Sequence, residues 1–273
     1  HLLQAARAAV RQACIDDEGV QTLDAAGPDS PSLKVIADHI RATSFTVADG
    51  VFETLKVEDG TAFALTRHVN RLQRSAAAMG LPAPDREQVV AAVRETVDAN
   101  APLLGELARL RITYTAGDAP LGSDRGETGP TLVVAVSTMK PWPESAAVIT
   151  VPWPRNERSP LAGVKSTSYA ENVLALARAH EHGAGEALMP DTQGRLCEGT
   201  GSNVFLVLAG ELLTPSLATG CLAGVTRDLV LECKDVGELL GERAELLAET
   251  VGGAGKRHAD AHAGALLAHA ALD

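Results

Sequence analysis

Four places in this chain carry residue types whose setting favours chemistry over simple solvation. Lys165 follows an apolar stretch and a Gly-Val pair, and precedes a helix signal, in GVKSTSYAEN. A lysine at a strand–helix junction has limited water and limited freedom. That can depress its pKa and make its amine a nucleophile toward an aldehyde. Glu198 ends a predicted strand directly before the Gly-Thr-Gly turn of EGTGSNVFLV, and a glutamate buried there needs a cationic partner. Arg71 lies three residues after His68, so the two share one helix face. Val225 and Thr226 put backbone amides and a hydroxyl at a predicted helix start, a ready anion site. Each also has a plain reading on its own: a loop lysine, a strand-end carboxylate, a surface arginine, a helix cap.

The elements that must position these groups follow from residue period and turn chemistry. GVFETLKVEDGTAFAL (50–65) reads as a hairpin turning at Asp59-Gly60. TRHVNRLQRSAAAMGLP reads as a helix with Val69, Leu72 and Ala76 inward, ended by Gly80 and Pro82. DREQVVAAVRETVDAN is a further helix, and LARLRITYTAG and GPTLVVAVSTM are strands. Residues 1–20 also read as a helix. KPWPESAAV, with two prolines, reads as a linker, which places domains at 1–140 and 149–273 around a linker at 141–148. VITVPWPRNE is a strand stopped by its prolines. Ser168 and Glu171 form a capping-box pattern for a helix running to Gly183. EALMP and RLCEG read as one hairpin, SNVFLVLAGELLTP as a second, and GVTRDLVLECKDVG as a helix. The tail GKRHADAHAGALLAHAALD does not read as strand-forming. The fold class is α+β in two domains.

Composition narrows the function classes. The 273 residues carry a net charge of −11 and no long basic run, which argues against a nucleic-acid surface. Small anionic ligands need only one or two local cations and are not excluded. Hydrophobic residues make up 45% and aromatics 3%, so the core must be mostly aliphatic. The four cysteines, Cys14, Cys197, Cys221 and Cys233, lack C-x-x-C spacing, so buried free thiols in a reducing cytoplasm are expected, with neither a disulfide scaffold nor a metal. No apolar run reaches the ~18 residues of a membrane span, and the charged N-terminal stretch lacks a signal-peptide pattern. EGTGSNVFLV is not a dinucleotide fingerprint, because no third glycine follows and a strand rather than a helix comes next.

Taken together, the four candidates match the needs of pyridoxal 5'-phosphate. That cofactor takes a lysine for its aldehyde, an acid for its pyridine nitrogen, and an arginine with a helix start for its phosphate. The motifs ADGVFETLKVEDG, HVNRL, GVKSTSYAEN, EALMPDTQGRLCEGTGSNVF and GCLAGVTR together resemble the fold-type IV pyridoxal-phosphate enzymes. These are the class IV aminotransferase family, with branched-chain and D-amino-acid aminotransferases and 4-amino-4-deoxychorismate lyases. The resemblance runs from about Phe45 to Cys233. It implies a smaller N-terminal α/β domain and a larger C-terminal domain with a barrel-like sheet, in a homodimer. It implies Lys165 as the Schiff-base lysine and proton shuttle, Glu198 as partner of the pyridine nitrogen, and Arg71, Val225 and Thr226 at the phosphate. Leu222 resembles the apolar residue on the ring face, and Phe52 the aromatic lining the substrate side. The glycines of EGTGSN would make room for the ring. Two departures stand out: Ala48 replaces a family glycine, and no Ser/Thr-rich turn follows Thr226.

Within the family, LRITYTAGDAPLGSDRG together with KSTSYAENVLALA most resembles the lyase branch, which releases pyruvate and 4-aminobenzoate. Arg111, on a strand, is then the expected carboxylate clamp. A branched-chain or D-amino-acid aminotransferase is the alternative. A non-catalytic member with impaired cofactor binding is a third reading.

Overall fold

The computed structural model describes residues 47–119, 123–143, 145–208, 211–232 and 263–268. The helix expected over residues 1–20 lies outside them. The chain divides into two compact units. One runs through Trp142 and takes in Ser166–Ser168; the other holds Pro143–Lys165 and resumes at Tyr169.

In the first unit, β1 (Gly50–Glu58) turns through Asp59-Gly60 into β2 (Thr61–Ala62). The second arm of the expected hairpin is thus only two residues long. Ala64 takes a left-handed conformation (φ 49°) and α1 (Leu65–Ala78) starts at once. α2 (Arg86–Leu104) is capped by Asp85, whose side chain accepts from the Gln88 amide at 2.9 Å. β3 (Leu107–Thr115) and β4 (Thr131–Thr138) complete an antiparallel sheet in the order β2-β1-β3-β4.

Successive β1 residues point to opposite faces of this sheet. Val51, Glu53, Leu55 and Val57 pair with Tyr114, Ile112, Leu110 and Ala108. With Val69, Leu72 and Ala76 of α1 and Val89 and Val93 of α2 they are buried, an aliphatic core as the composition requires. Phe52 and Thr54 face the other way, beside Thr113 and Arg111.

In the second unit, β5 (Val148–Thr150) pairs parallel with β6 (Glu186–Pro190), and β6 pairs antiparallel with β7 (Leu196–Gly199). α3 (Ala170–Glu181) lays Ala175 and Ala179 on Val151, Ala187 and Met189. β8 (Asn203–Leu208) lies between β9 (Glu211–Leu213) and β10 (Ala263–Ala268). α4 (Val225–Glu232) follows a short 3-10 turn at Leu217–Thr219.

Two expectations need correction. Ser168 does not cap α3. The N-cap residue is Tyr169, without a side-chain cap bond. That moves the helix start one residue on and leaves Glu171 at its second position rather than its third. The tail does contain a strand: β10 pairs with β8 from Ala263↔Leu208 to Ala268↔Asn203.

Candidate active site

The site is easiest to build from the turn after β7. Glu186 opens β6 and is 2% exposed. One of its carboxylate oxygens accepts from the Ala187 amide (2.8 Å), the Thr200 amide (2.9 Å) and the Thr200 hydroxyl (2.5 Å). The other accepts from the Ser202 hydroxyl at 2.9 Å. The Thr200 carbonyl accepts from Tyr169 Oη at 2.8 Å and from Asn172 Nδ2 at 2.5 Å. The Gly-Thr-Gly-Ser turn is therefore held from below by Glu186 and from the side by the start of α3. A Cβ at Gly199 would collide with the Ser202 hydroxyl and crowd the Glu186 carboxylate. The absence of a Cβ at 199 thus serves this internal packing. At Gly201 a Cβ would meet only Tyr169 Oη, at 4.0 Å.

This braced turn fixes Glu198, which is 7% exposed. Its Oε1 lies 2.9 Å from Arg155 Nη2, and its Oε2 accepts from the Leu222 amide at 2.9 Å. Burial pushes the Glu198 carboxyl above the ordinary carboxylate range. Arg155, the Leu222 amide and the Lys165 charge pull against it. The sequence asked for a cationic partner; Arg155 is that partner and was not among the candidate residues. Its only sequence signal was an arginine just past the prolines of VPWPRNE. Arg155 Nη1 also donates to Asn172 Oδ1 at 3.3 Å.

Lys165 is 6% exposed. It does not follow a strand directly. Three turns, Asn156–Ser159, Ser159–Ala162 and Leu161–Val164, intervene after β5. Ser166 and Thr167, next along the chain, bond to the first unit's β1: Ser166 bridges Val51, and the Thr167 amide donates to the Gly50 carbonyl at 2.8 Å. The lysine backbone is thereby held on its C-terminal side. Its charge is one of the influences on Glu198, so the amine and the carboxylate share one buried neighbourhood in the second unit.

Leu222 is clamped at both ends, its amide by Glu198 and its carbonyl by Asn203 Nδ2 at 2.9 Å. Val225 is buried and begins α4, with Thr226 next, as the sequence predicted. Cys197 and Cys221 are buried free thiols. Burial, with the charge of Glu198, pushes the Cys197 thiol up to about 12, so it is not a nucleophile.

In the first unit, Arg71 is 2% exposed. Its Nε donates to Glu53 Oε1 at 2.9 Å and its Nη2 to Glu53 Oε2 at 2.7 Å. His68 Nδ1 lies 2.8 Å from the same Oε2. Burial alone would raise the Glu53 carboxyl. Arg71 and the bonds from His68 and Arg71 outweigh it and hold it at about 2. Arg111 lies over the Phe52 ring, 3.8 Å from its centroid, and donates to Thr113 Oγ1 at 3.2 Å. Lys165, Glu198, Leu222, Val225 and Thr226 thus belong to one unit, and Arg71, Phe52 and Arg111 to the other.

A family model for amino-transferase class IV matches residues 50–247. The chain belongs to the class IV aminotransferase family. This family member is 32% identical over 205 residues to the bifunctional aminodeoxychorismate lyase / D-amino acid transaminase of Mycobacterium tuberculosis, covering 67% of this chain and 68% of that one. It resembles a fold IV-transaminase from Curtobacterium pusillum (TM-score 0.65, 32% identity, covering 75% and 70% of the two chains). It also resembles a hypothetical aminotransferase from Mycobacterium tuberculosis solved in its PLP-bound form (TM-score 0.64, 30% identity, covering 74% and 72%). The chain spans 65% of one curated relative and 34% of another. The class IV aminotransferase fold, mixed helix and sheet, is the expected one.

The donor set fits that cofactor. A buried amine and a buried carboxylate lie in one neighbourhood, the carboxylate is pinned at both oxygens, and a helix start with a hydroxyl stands nearby in the chain.

Proposed function

We propose that this protein is a pyridoxal-phosphate-dependent enzyme acting at the α-carbon of an amino-acid-like substrate, and that the substrate is 4-amino-4-deoxychorismate. The observation that carries the cofactor chemistry is the buried neighbourhood of Lys165 and Glu198, with Glu198 held rigidly by Arg155 and the Leu222 amide. When bound, the cofactor supplies an electron sink for the pair left behind as the α-proton departs.

Each protein group then has a task at a stated atom. Lys165 Nζ would hold the cofactor covalently, and its freed amine would take the α-proton of the substrate. The Glu198 carboxylate holds a proton on the pyridine nitrogen. The start of α4 at Val225 and Thr226 would hold the phosphate, and Arg71 is proposed as its arginine. Leu222 packs on the ring face, its backbone fixed at both ends. Phe52 lines the substrate side. Arg111, stacked on Phe52 and braced by Thr113, presents a guanidinium of fixed orientation to a substrate carboxylate. The lyase departs from a transaminase only after proton removal, when an enolpyruvyl carbon–oxygen bond breaks and Lys165 or water supplies the proton. We place the enzyme in the cytoplasm as a homodimer.

Support for the lyase over its alternatives is the strand-and-loop run that includes Arg111, together with a relative whose name joins lyase and D-amino acid transaminase. That name also keeps the transaminase as the second reading. The test is direct. Loaded protein is incubated with 4-amino-4-deoxychorismate, and separately with branched-chain or D-amino acids plus 2-oxoglutarate. Release of 4-aminobenzoate and pyruvate is the expected result. Glutamate formation without 4-aminobenzoate would overturn it in favour of the transaminase.

A further inference from the structure

Glu198 is reached by two charged side chains, Arg155 and Lys165, and by the buried Cys197 and Cys221 thiols. Arg155 forms an ion pair with it, Nη2 lying 2.9 Å from Oε1. Arg155 is itself held at its backbone and at its guanidinium. Its backbone amide donates to the Pro190 carbonyl at 2.7 Å, and its backbone bridges Asp191 at the end of β6. Its Nη1 reaches Asn172 Oδ1, and Asn172 in turn binds the Thr200 carbonyl two residues beyond Glu198. Arg155, Asn172, Thr200 and Glu198 therefore close a ring of contacts around the EGT segment. Among the described residues, Arg155 Nε is buried without a hydrogen-bond partner.

We propose that Arg155 is a positioning residue for Glu198: through its Nη2–Oε1 contact it fixes the rotamer and ionisation of the carboxylate that meets the pyridine nitrogen. The proposal rests on the cofactor reading above and adds a residue to it. A lone carboxylate this deeply buried gains by taking up a proton, and a protonated acid could not hold a charged ring nitrogen. The arginine keeps Glu198 ionised. It also leaves a positive charge close to the cofactor, which makes the proton on the nitrogen that joins Lys165 to the cofactor easier to lose.

The sign of the expected effect follows. Removing the Arg155 charge leaves one positive charge fewer nearby, so the nitrogen that joins Lys165 to the cofactor holds its proton to higher pH. The measurement is a pH titration of the visible absorbance band of the pyridoxal-phosphate-loaded protein, for wild type, R155M and R155K. In R155M the midpoint should rise by about one pH unit, on the order of a tenfold change in proton affinity. R155K keeps the cation and should restore most of the shift while holding cofactor less tightly, because lysine cannot bridge to Asn172. An unchanged midpoint in R155M at full occupancy would overturn the proposal, since lost packing alone moves occupancy and melting temperature but not the midpoint. Should R155M fold poorly, R155M/E198Q serves. Replacing both partners removes the unpaired buried charge. The double variant should therefore melt above both R155M and E198Q, and a double variant no better than the worse single one would count against the coupling. A wild-type protein that gains no visible band with pyridoxal phosphate would remove the cofactor reading itself, whereas a wild-type band with an immobile R155M midpoint removes the role of Arg155 alone.

Discussion

The roles proposed for Lys165 and Glu198 are separable, and single substitutions tell them apart. Lys165→Ala removes the amine proposed to attach the cofactor. Borohydride reduction of the loaded variant, followed by peptide mapping, should find no modified lysine. A trapped cofactor on another lysine would overturn the assignment. Glu198→Gln keeps the shape and the Leu222 contact while removing the charge. Turnover should fall on the order of 10²–10³, with a smaller change in cofactor dissociation constant because the phosphate contacts remain. Near-wild-type turnover at full occupancy would sink the role of Glu198. Both residues were legible in the sequence, since each sits beside punctuation that chemistry needs: Gly-Val before the lysine, Gly-Thr-Gly after the glutamate. Arg155 was not legible. Its partner is distant along the chain, and nothing local distinguishes an arginine that turns inward from one that faces water. Glu186 was hidden for the same reason, its four donors coming mostly from the turn after the next strand.

At the scale of elements, the β1–α1 pair is held by more than apolar contact. Glu53 is fully buried and bonded to two side chains of α1. Glu53→Gln would leave Arg71 buried and short of charge, and should cost about 3–5 kcal/mol of stability, read as a lower denaturation midpoint. The wild-type contribution is pH-dependent. The folded carboxyl is held near 2 against an ordinary value of 4.5. Its stabilisation is thus fully present above about 4.5 and is lost as pH falls through about 2, about 3 kcal/mol in all. The glutamine variant should show a flatter acid-unfolding profile between those limits; an identical profile would overturn the account. Ala48 enters β1 in a left-handed conformation, φ 54°, where the family has glycine. Ala48→Gly should stabilise by about 1 kcal/mol, measured by urea denaturation, and a destabilised variant would mean that the position is not strained. The strands here were legible from alternation and turn residues. The cap of α3 was not, because Ser168 and Tyr169 compete for one position and only the tyrosine also reaches the Thr200 carbonyl.

For the whole molecule, the unexpected strand matters most. β10 reads AGALLA, with none of the β-branched or aromatic residues that mark a strand. Its strand state comes from pairing with β8 rather than from local preference. A chain ending at Glu232 would leave β8, which carries the buried Val204 and Phe205, as an open edge. Such an edge invites pairing between molecules. Light scattering of the truncated chain should show self-association beyond that of the full chain, and an unchanged particle mass would show that β10 does not protect β8.

The alternation of β1 also constrains how the gene can change. One strand carries two messages on alternate residues: Val51, Glu53 and Leu55 address the core and α1, while Phe52 and Thr54 address the opposite face with Arg111. Point mutation can edit either message separately. Loss or gain of one codon inside β1 exchanges them, sending Phe52 toward Arg71 and Glu53 toward Arg111. Lineages descending from this gene should therefore accept many substitutions along Gly50–Glu58 yet keep its residue count fixed, and place their insertions beyond Glu58.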